Sequence, residues 1–188
     1  MTKILRNEEA GRSMVEMLGV LAIVGVLSIG GISGYSKAMA KYKVNKTLDQ
    51  ISMLVTNIRS TFGNQSSYKG LENKTLVSYD LVDNDMSHGT ASTLTNAYGG
   101  TINVTAISSY LQFKIVYSNI PKDACANIAS SNWGDSASSG LVSIDIGGAT
   151  HNWASTGDSS LPVAFAQAAK ECSEKSSAGY VTLTWIYY

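Results

Sequence analysis

The feature that most constrains this chain is an uncharged, mostly apolar run near its amino terminus. Residues 17–36 contain no Asp, Glu, Lys or Arg and are rich in Val, Leu and Ile. An α-helix rises about 1.5 Å per residue, so a run of this length matches the ~30 Å hydrocarbon layer of a bilayer. The sequence therefore predicts a membrane-inserting helix over residues 17–36.

A single carboxylate stands at the edge of this run. Glu16 directly precedes Met17, and a charge without a partner is unfavourable in lipid. We therefore expect Glu16 to stay near the interface or to meet a cation. Lys3, Arg6 and Arg12 lie upstream, and the positive-inside rule favours a cytoplasmic location for that end of the helix.

The same residues allow three other interpretations. Ser13 and Glu16 fit the capping box that begins many helices. Residues 1–40 could also form a secretory signal peptide with a small-residue cleavage site at residues 38–40, although Glu16, Lys37 and the long apolar run argue against it. A permanent single-span anchor needs no cleavage at all. These three interpretations stay open at this point.

An amphipathic pattern follows the apolar run. In residues 41–62 apolar side chains recur every three or four positions, which is typical of a helix that covers a core with one face. They are Val44, Leu48, Ile51, Leu54, Val55, Ile58 and Phe62. The two patterns together predict one helix from Met14 to about Phe62. We expect it to be weakest at Gly30, Gly31 and Gly34, since each interior glycine costs up to about 1 kcal/mol relative to Ala.

The remainder of the chain predicts a sheet with two short helices. Residues 64–101 are polar and predict a long surface loop, and residues 101–107 and 110–117 predict a β-hairpin. Residues 120–128 predict a short helix, with Pro121 ending the preceding strand. A strand over 141–146, a helix over 161–172 and a last strand over 180–188 follow. The simplest arrangement is an α+β fold in which an antiparallel sheet packs on the long helix.

The charge balance and the two cysteines indicate which partners and which compartment suit this chain. The 188 residues carry 14 basic and 14 acidic side chains, so the net charge gives no general attraction to nucleic acid and suits copies that pack together. Cys125 and Cys172 both follow the apolar run. In an oxidising compartment two such cysteines predict one disulfide, which would stabilise the fold by about 4 kcal/mol.

No pattern indicates catalysis. His88 and His151 lack neighbours at metal-ligand spacing, and the acidic turn with Asp80, Asp83 and Asp85 lacks the glycine and final glutamate of an EF-hand. No phosphate-binding glycine loop or nucleophile motif is present. The sequence therefore predicts no metal, no cofactor and no enzymatic activity.

A short polar leader that ends in Gly11, followed by an apolar helix with Glu16 five residues after the glycine, resembles the type IV prepilin signature. The resemblance covers about residues 6–40. It implies that a prepilin peptidase cuts between Gly11 and Arg12 and methylates the new amino terminus at Arg12. It also implies that Glu16 pairs with the terminal amine of a neighbouring subunit. The family usually has Phe or Met where this chain has Arg12, and the extra cation offers Glu16 a second partner.

The resemblance also implies a pilin fold with a defined division of the chain. Residues 1–11 would be the leader, residues 12–62 the long helix, and residues 63–188 a globular sheet domain with a disulfide-bounded region over 125–172. Two short helices that each hold one cysteine resemble the type IVb subgroup, whereas the short leader points to type IVa. The subgroup is therefore left open.

As a function, the resemblance implies a structural subunit of a type IV pilus. Its partners would be copies of itself, the prepilin peptidase, the pilus assembly ATPase and the inner-membrane platform protein. The subunit would lie in the bacterial inner membrane before assembly and in an extracellular pilus afterwards. The alternative is a minor pilin, a pseudopilin or a single-span exported binding protein of the adhesin type.

Overall fold

The computed structural model describes residues 6–87 and 92–188, with side chains described from Met14 onward. The chain divides into two compact units, Met1–Tyr42 and Lys43–Tyr188. The division falls inside the first helix, so the last third of that helix belongs to the same unit as the sheet. The expected boundaries at residues 11 and 62 stay predictions.

The first element is one long helix, α1 (Arg6–Phe62), of 57 residues. The predicted helix from Met14 to Phe62 is confirmed, and it begins eight residues earlier than expected. The backbone stays helical through residues 30–34, where three glycines occur. The helix ends where expected, at Gly63, where a Cβ atom would lie 2.5 Å from the carbonyl oxygen of Arg59.

Within the second unit, α1 covers the core with a single stripe. Ile51, Leu54 and Ile58 are fully buried, and Phe62 is nearly so. They recur every three or four residues, so they share one face of the helix. Val44, Leu48 and Val55 pack at the margin of the same core. The amphipathic pattern of the sequence therefore identified this face correctly.

One six-stranded antiparallel sheet lies against this face. Its strands are β1 (Leu94–Thr95), β2 (Thr101–Ile107), β3 (Gln112–Pro121), β4 (Leu141–Ile146), β5 (Ala149–Asn152) and β6 (Tyr180–Tyr187). The spatial order is β1-β2-β3-β6-β4-β5, with antiparallel pairing throughout. The last strand of the chain therefore lies in the middle of the sheet, where its alternate residues, Val181, Leu183, Trp185 and Tyr187, are buried.

Among the described residues of this unit, four short helices complete the fold. They are α2 (Asn73–Ser78), α3 (Asn84–Ser87), α4 (Lys122–Ala129) and α5 (Phe165–Glu174), together with a 3₁₀ turn at Gly157–Ser159. The buried side chains of α1, the sheet and α4 form one hydrophobic core. The expected α+β architecture, with an antiparallel sheet on the long helix, is confirmed.

Several local predictions were wrong. Residues 64–101 are not one surface loop, because they contain α2, α3 and β1. The strand expected to stop before Pro121 includes it, since Pro121 pairs with Tyr180 at the end of β3, and α4 begins only at Lys122. The helix expected from residue 161 begins only at Phe165. The residues before it, which include the cis Leu161–Pro162 bond, are not helical.

The sequence interpretation also missed β5. Gly147 and Gly148 both have positive φ angles, 58° and 101°, and form the turn of a hairpin between β4 and β5. Such angles cost glycine little, and paired turn glycines favour tight hairpins. The sequence predicts a strand only before these glycines, over residues 141–146.

Candidate functional site

The apolar part of α1 is not covered by its own chain. Every large apolar side chain from Met14 to Ile32 is more than half exposed, from 52% at Val24 to 73% at Met14, Val26 and Ile29. This part of the helix is long and apolar enough to cross a membrane, by length and composition alone. A continuous apolar surface of this kind indicates contact with lipid or with another protein.

Glu16 lies at the amino-terminal edge of this surface, and its side chain is exposed. It makes no hydrogen bond or ion pair with any side chain from Met14 onward that the structure describes. The capping-box interpretation does not fit the uncut chain, because α1 begins at Arg6 and Ser13 lies inside the helix. Gly11 and Arg12 are described only as helical backbone. Cleavage after Gly11, methylation at Arg12 and the pairing of Glu16 stay predictions.

Two hydroxyl groups within the apolar run are satisfied locally. The Ser28 hydroxyl donates to the carbonyl oxygen of Val24 at 2.8 Å, and the Ser36 hydroxyl donates to that of Ile32 at 3.0 Å. Such bonds to the preceding turn reduce the cost of a polar group in an apolar environment. In contrast to these hydroxyls, the carboxylate of Glu16 is a strongly polar group at the edge of the apolar surface.

The second unit contains the predicted disulfide. Cys125 on α4 and Cys172 on α5 are bonded, with their Cα atoms 5.9 Å apart. Both side chains are buried, and the bond joins the two short helices as the sequence predicted. The disulfide thus closes the region over residues 125–172.

The structure places His151 in a setting that the sequence did not indicate. Its side chain is 1% exposed, and its Nε2 atom lies 2.6 Å from Oε2 of Glu171 on α5. Gln167 donates from Nε2 to the other oxygen of Glu171 at 2.6 Å. The sequence did not indicate this setting because β5, the hairpin strand that places His151 on the core side, was not predicted. The contact ties β5 to α5, and among the described residues no group lies in hydrogen-bond contact with the other ring nitrogen, Nδ1, as the nucleophile of a catalytic triad would.

A surface groove of about 380 Å³ lies between α1 and the loop before β4. Its cation, Arg59, donates to the backbone carbonyls of Ser138 at 3.2 Å and Ser139 at 2.6 Å. Burial raises the pKa of Tyr187 in the same groove, and the positive charge of Arg59 opposes this shift. Arg59 is therefore engaged in holding the loop to α1.

The acidic turn contains Asp80, Asp83 and Asp85. Among residues 14–87 and 92–188, no group of three His, Cys, Asp or Glu side chains has metal-binding geometry. Asp85 forms an ion pair with Lys46 of α1. His88 lies outside the described residues.

Comparisons with known proteins identify the family. Residues 41–186, which are 146 of the 188 residues, match the family model described as PilS N terminal. The chain is 26% identical over 190 aligned positions to the major structural subunit of the bundle-forming pilus of Escherichia coli O111:H-. The same protein of Escherichia coli O127:H6 (strain E2348/69 / EPEC) is equally similar. Each alignment covers 96% of this chain and 97% of the relative.

The family match covers the sheet up to residue 186 of β6 and both cysteines of the disulfide. The alignments to the relatives extend over almost all of the chain, the exposed apolar helix included. The chain therefore belongs to the PilS family and is a type IV pilin.

Proposed function

We propose that this protein is the major structural subunit of a type IV pilus, which polymerises through the apolar part of α1. The observation that carries the proposal is the exposure of every large apolar side chain from Met14 to Ile32. Lipid would cover this surface before assembly, and the helices of neighbouring subunits would cover it in the filament. The names of the two relatives, both major structural subunits, support the major rather than the minor role.

The proposed maturation begins with removal of residues 1–11. A prepilin peptidase cuts between Gly11 and Arg12, and the new amino terminus at Arg12 is methylated. Glu16 then pairs with that amine on a neighbouring subunit, with the Arg12 side chain as a second cationic partner. An ion pair in an apolar bundle specifies the register of the helices more than it stabilises them. Glu16 therefore selects the axial position at which an incoming subunit stops.

The proposed partners are other copies of the chain, the peptidase, the assembly ATPase and the inner-membrane platform protein. The subunit lies in the inner membrane before assembly and in an extracellular pilus after it. Pilins are structural subunits, and a structural role agrees with the engagement of Arg59, His151 and Glu171 in holding the fold. No catalytic step is proposed.

The test replaces Glu16 with Ala and with Gln in the natural host. We expect both variants to insert in the membrane and to keep the fold of the second unit, but to form few or no fibres in electron micrographs. Asp49→Asn, an exposed acidic position further along α1, is the matched control and should form normal fibres. Normal fibres from Glu16→Ala would contradict the pairing role.

Mass spectrometry of the exported protein tests the maturation separately. We expect a chain that begins at methylated Arg12. A chain that begins at Lys41 would mean that the apolar helix is a discarded signal peptide, and it would overturn the proposal. Fibres that contain this chain only in trace amounts would identify it as a minor pilin.

A further inference from the structure

Two exposed lysines follow the apolar run of α1. Lys37 comes directly after Ser36, the last residue of the run, and Lys41 lies one turn further on. Residues four apart on a helix lie on the same face, about 40° apart around the axis. No Asp or Glu occurs from residue 17 to residue 48, so no acidic side chain on this stretch neutralises them.

The next two lysines are engaged within the second unit. The Nζ atom of Lys43 lies 5.6 Å from the ring centroid of Tyr98, and Lys46 forms an ion pair with Asp85. Lys37 and Lys41, in contrast, make no hydrogen bond or ion pair with a residue that the structure describes. The two lysines nearest to the apolar run therefore present their charges outward.

Exposed tyrosines accompany the two lysines. Tyr35 is 67% exposed and Tyr42 is 56% exposed, one on each side of the Lys37 and Lys41 pair. Tyr and Lys at the end of an apolar helix are typical of the zone where lipid headgroups lie, because each combines an apolar stem with a polar tip. This composition fits a membrane surface better than an aqueous face.

The position of these lysines is not explained by membrane orientation. In the proposed orientation the amino-terminal end of the chain, with Lys3, Arg6 and Arg12, faces the cytoplasm, whereas four lysines lie within residues 37–46 on the opposite side. Positive charges on that side do not favour this orientation. Their sign and their depth instead match the phosphate groups of anionic phospholipids, which attract basic residues next to a membrane helix.

We propose that Lys37 and Lys41 bind the phosphate groups of anionic phospholipids in the outward-facing leaflet while the subunit is held in the membrane. This inference rests on the membrane stage of the proposed function. The contact fixes the depth of the helix, with Ser36 at the level of the headgroups. It is local, so it is compatible with the zero net charge of the whole chain.

The test uses the full chain reconstituted in phosphatidylcholine bilayers, with spin-labelled phosphatidylglycerol or phosphatidylcholine as probe. Electron paramagnetic resonance gives the association constant of each lipid at the protein surface. We expect a preference for phosphatidylglycerol at low ionic strength. In K37Q/K41Q the ratio of its association constant to that of phosphatidylcholine should fall by up to about fivefold for each lysine removed. The variant K37R/K41R should keep the preference, because it keeps both charges.

The matched control is K69Q/K74Q, which removes two exposed lysines of the second unit and should leave the lipid preference unchanged. Glutamine and lysine have similar helix propensities, so the helix is preserved in K37Q/K41Q, and circular dichroism checks this. A preference that survives in K37Q/K41Q, or that is absent from the unaltered protein, would overturn the inference.

Two further arms separate the possible causes. Inorganic phosphate and sodium chloride at equal ionic strength should weaken the preference equally through screening. A stronger effect of phosphate would reveal a site for free phosphate and would overturn the assignment to lipid. If neither probe shows lipid immobilised by the protein, the chain has not inserted, and the membrane stage fails together with this inference. Insertion without a lipid preference overturns this inference alone.

Discussion

The Nε2 atom of His151 on β5 lies 2.6 Å from the Oε2 atom of Glu171 on α5, and both residues are buried. Glu171 directly precedes Cys172, so the contact lies beside the disulfide that joins α5 to α4. When one partner is removed from a buried polar pair, the other is left without a hydrogen bond, and this costs more than the pair itself contributes. The pair therefore makes the edge strand β5 dependent on α5.

We expect Glu171→Ala to lower the free energy of unfolding by about 3 kcal/mol, because it leaves the buried His151 side chain without its partner. Denaturant unfolding of the full chain in detergent, followed by tryptophan fluorescence, measures this change. Glu174→Ala, an exposed position on the same helix, is the control and should stay within about 0.5 kcal/mol of the unaltered protein. Equal stability of the two variants would show that the contact contributes little.

Asn73 is expected to be a second stabilising position. Its Nδ2 donates to the carbonyl oxygen of Ile102 at 2.8 Å, and its Oδ1 accepts from the backbone N–H of Val104 at 2.9 Å. The side chain therefore occupies the place of a neighbouring strand along the outer edge of β2, where the short pairing with β1 ends at Ile102. Asn73→Ala should lower the free energy of unfolding by about 2 kcal/mol, since two backbone groups lose their partners.

The same unfolding measurement tests the Asn73 prediction. Lys74→Ala, the exposed neighbour on α2, is the control. Asn73→Asp keeps the acceptor but loses the donor, so we expect its stability to lie between those of the unaltered protein and Asn73→Ala. If Asn73→Ala and Lys74→Ala unfold at the same denaturant concentration, the role assigned to Asn73 is wrong.

The disulfide should contribute more than any single hydrogen bond. Cys125 and Cys172 are 47 positions apart, and in the chain-entropy model a loop of this size stabilises by about 4 kcal/mol. We expect the double variant Cys125→Ser/Cys172→Ser to have a free energy of unfolding lower by this amount and to unfold at a lower denaturant concentration. Reduction of the unaltered protein should reproduce the change. A double variant as stable as the oxidised protein would contradict the prediction.

We expect Tyr98 to make the stability of the fold depend on pH in the alkaline range. Burial raises the pKa of its hydroxyl to about 12. In the unfolded chain the pKa is near 10, so above that pH the unfolded state releases a proton that the folded state retains. The contribution of Tyr98 to stability is therefore complete below about pH 10 and falls as the pH rises toward about 12.

The variant Tyr98→Phe cannot ionise, so it should lose less stability than the unaltered protein between about pH 9 and about pH 11. The measurement is the free energy of unfolding of the full chain at the two pH values. Tyr79→Phe, at a position that is 72% exposed, should follow the unaltered protein. Parallel pH profiles for all three proteins would contradict the assignment to Tyr98.

Local sequence patterns were sufficient for the elements with a strong period. The spacing of Ile51, Leu54 and Ile58 predicted both the helix and the face that the structure buries. Alternation predicted the strand at residues 101–107, and the strands predicted at residues 141–146 and 180–188, the last from its β-forming side chains, agree with the structure within one residue. The pairing of Cys125 with Cys172 followed from their number and their position after the apolar run. These properties depend on residues that are close in sequence or few in number.

Only the tertiary structure decided how distant segments meet. The position of β6 between β3 and β4, the use of Asn73 as a substitute strand and the contact of His151 with Glu171 each join residues that are far apart in the chain. No repeating pattern along the sequence marks a hydrogen bond between such residues, because the two partners meet only through the packing of the elements between them. The sequence by itself therefore determined the long helix and the main strands, and the packing of the core decided which polar side chains these elements bring together.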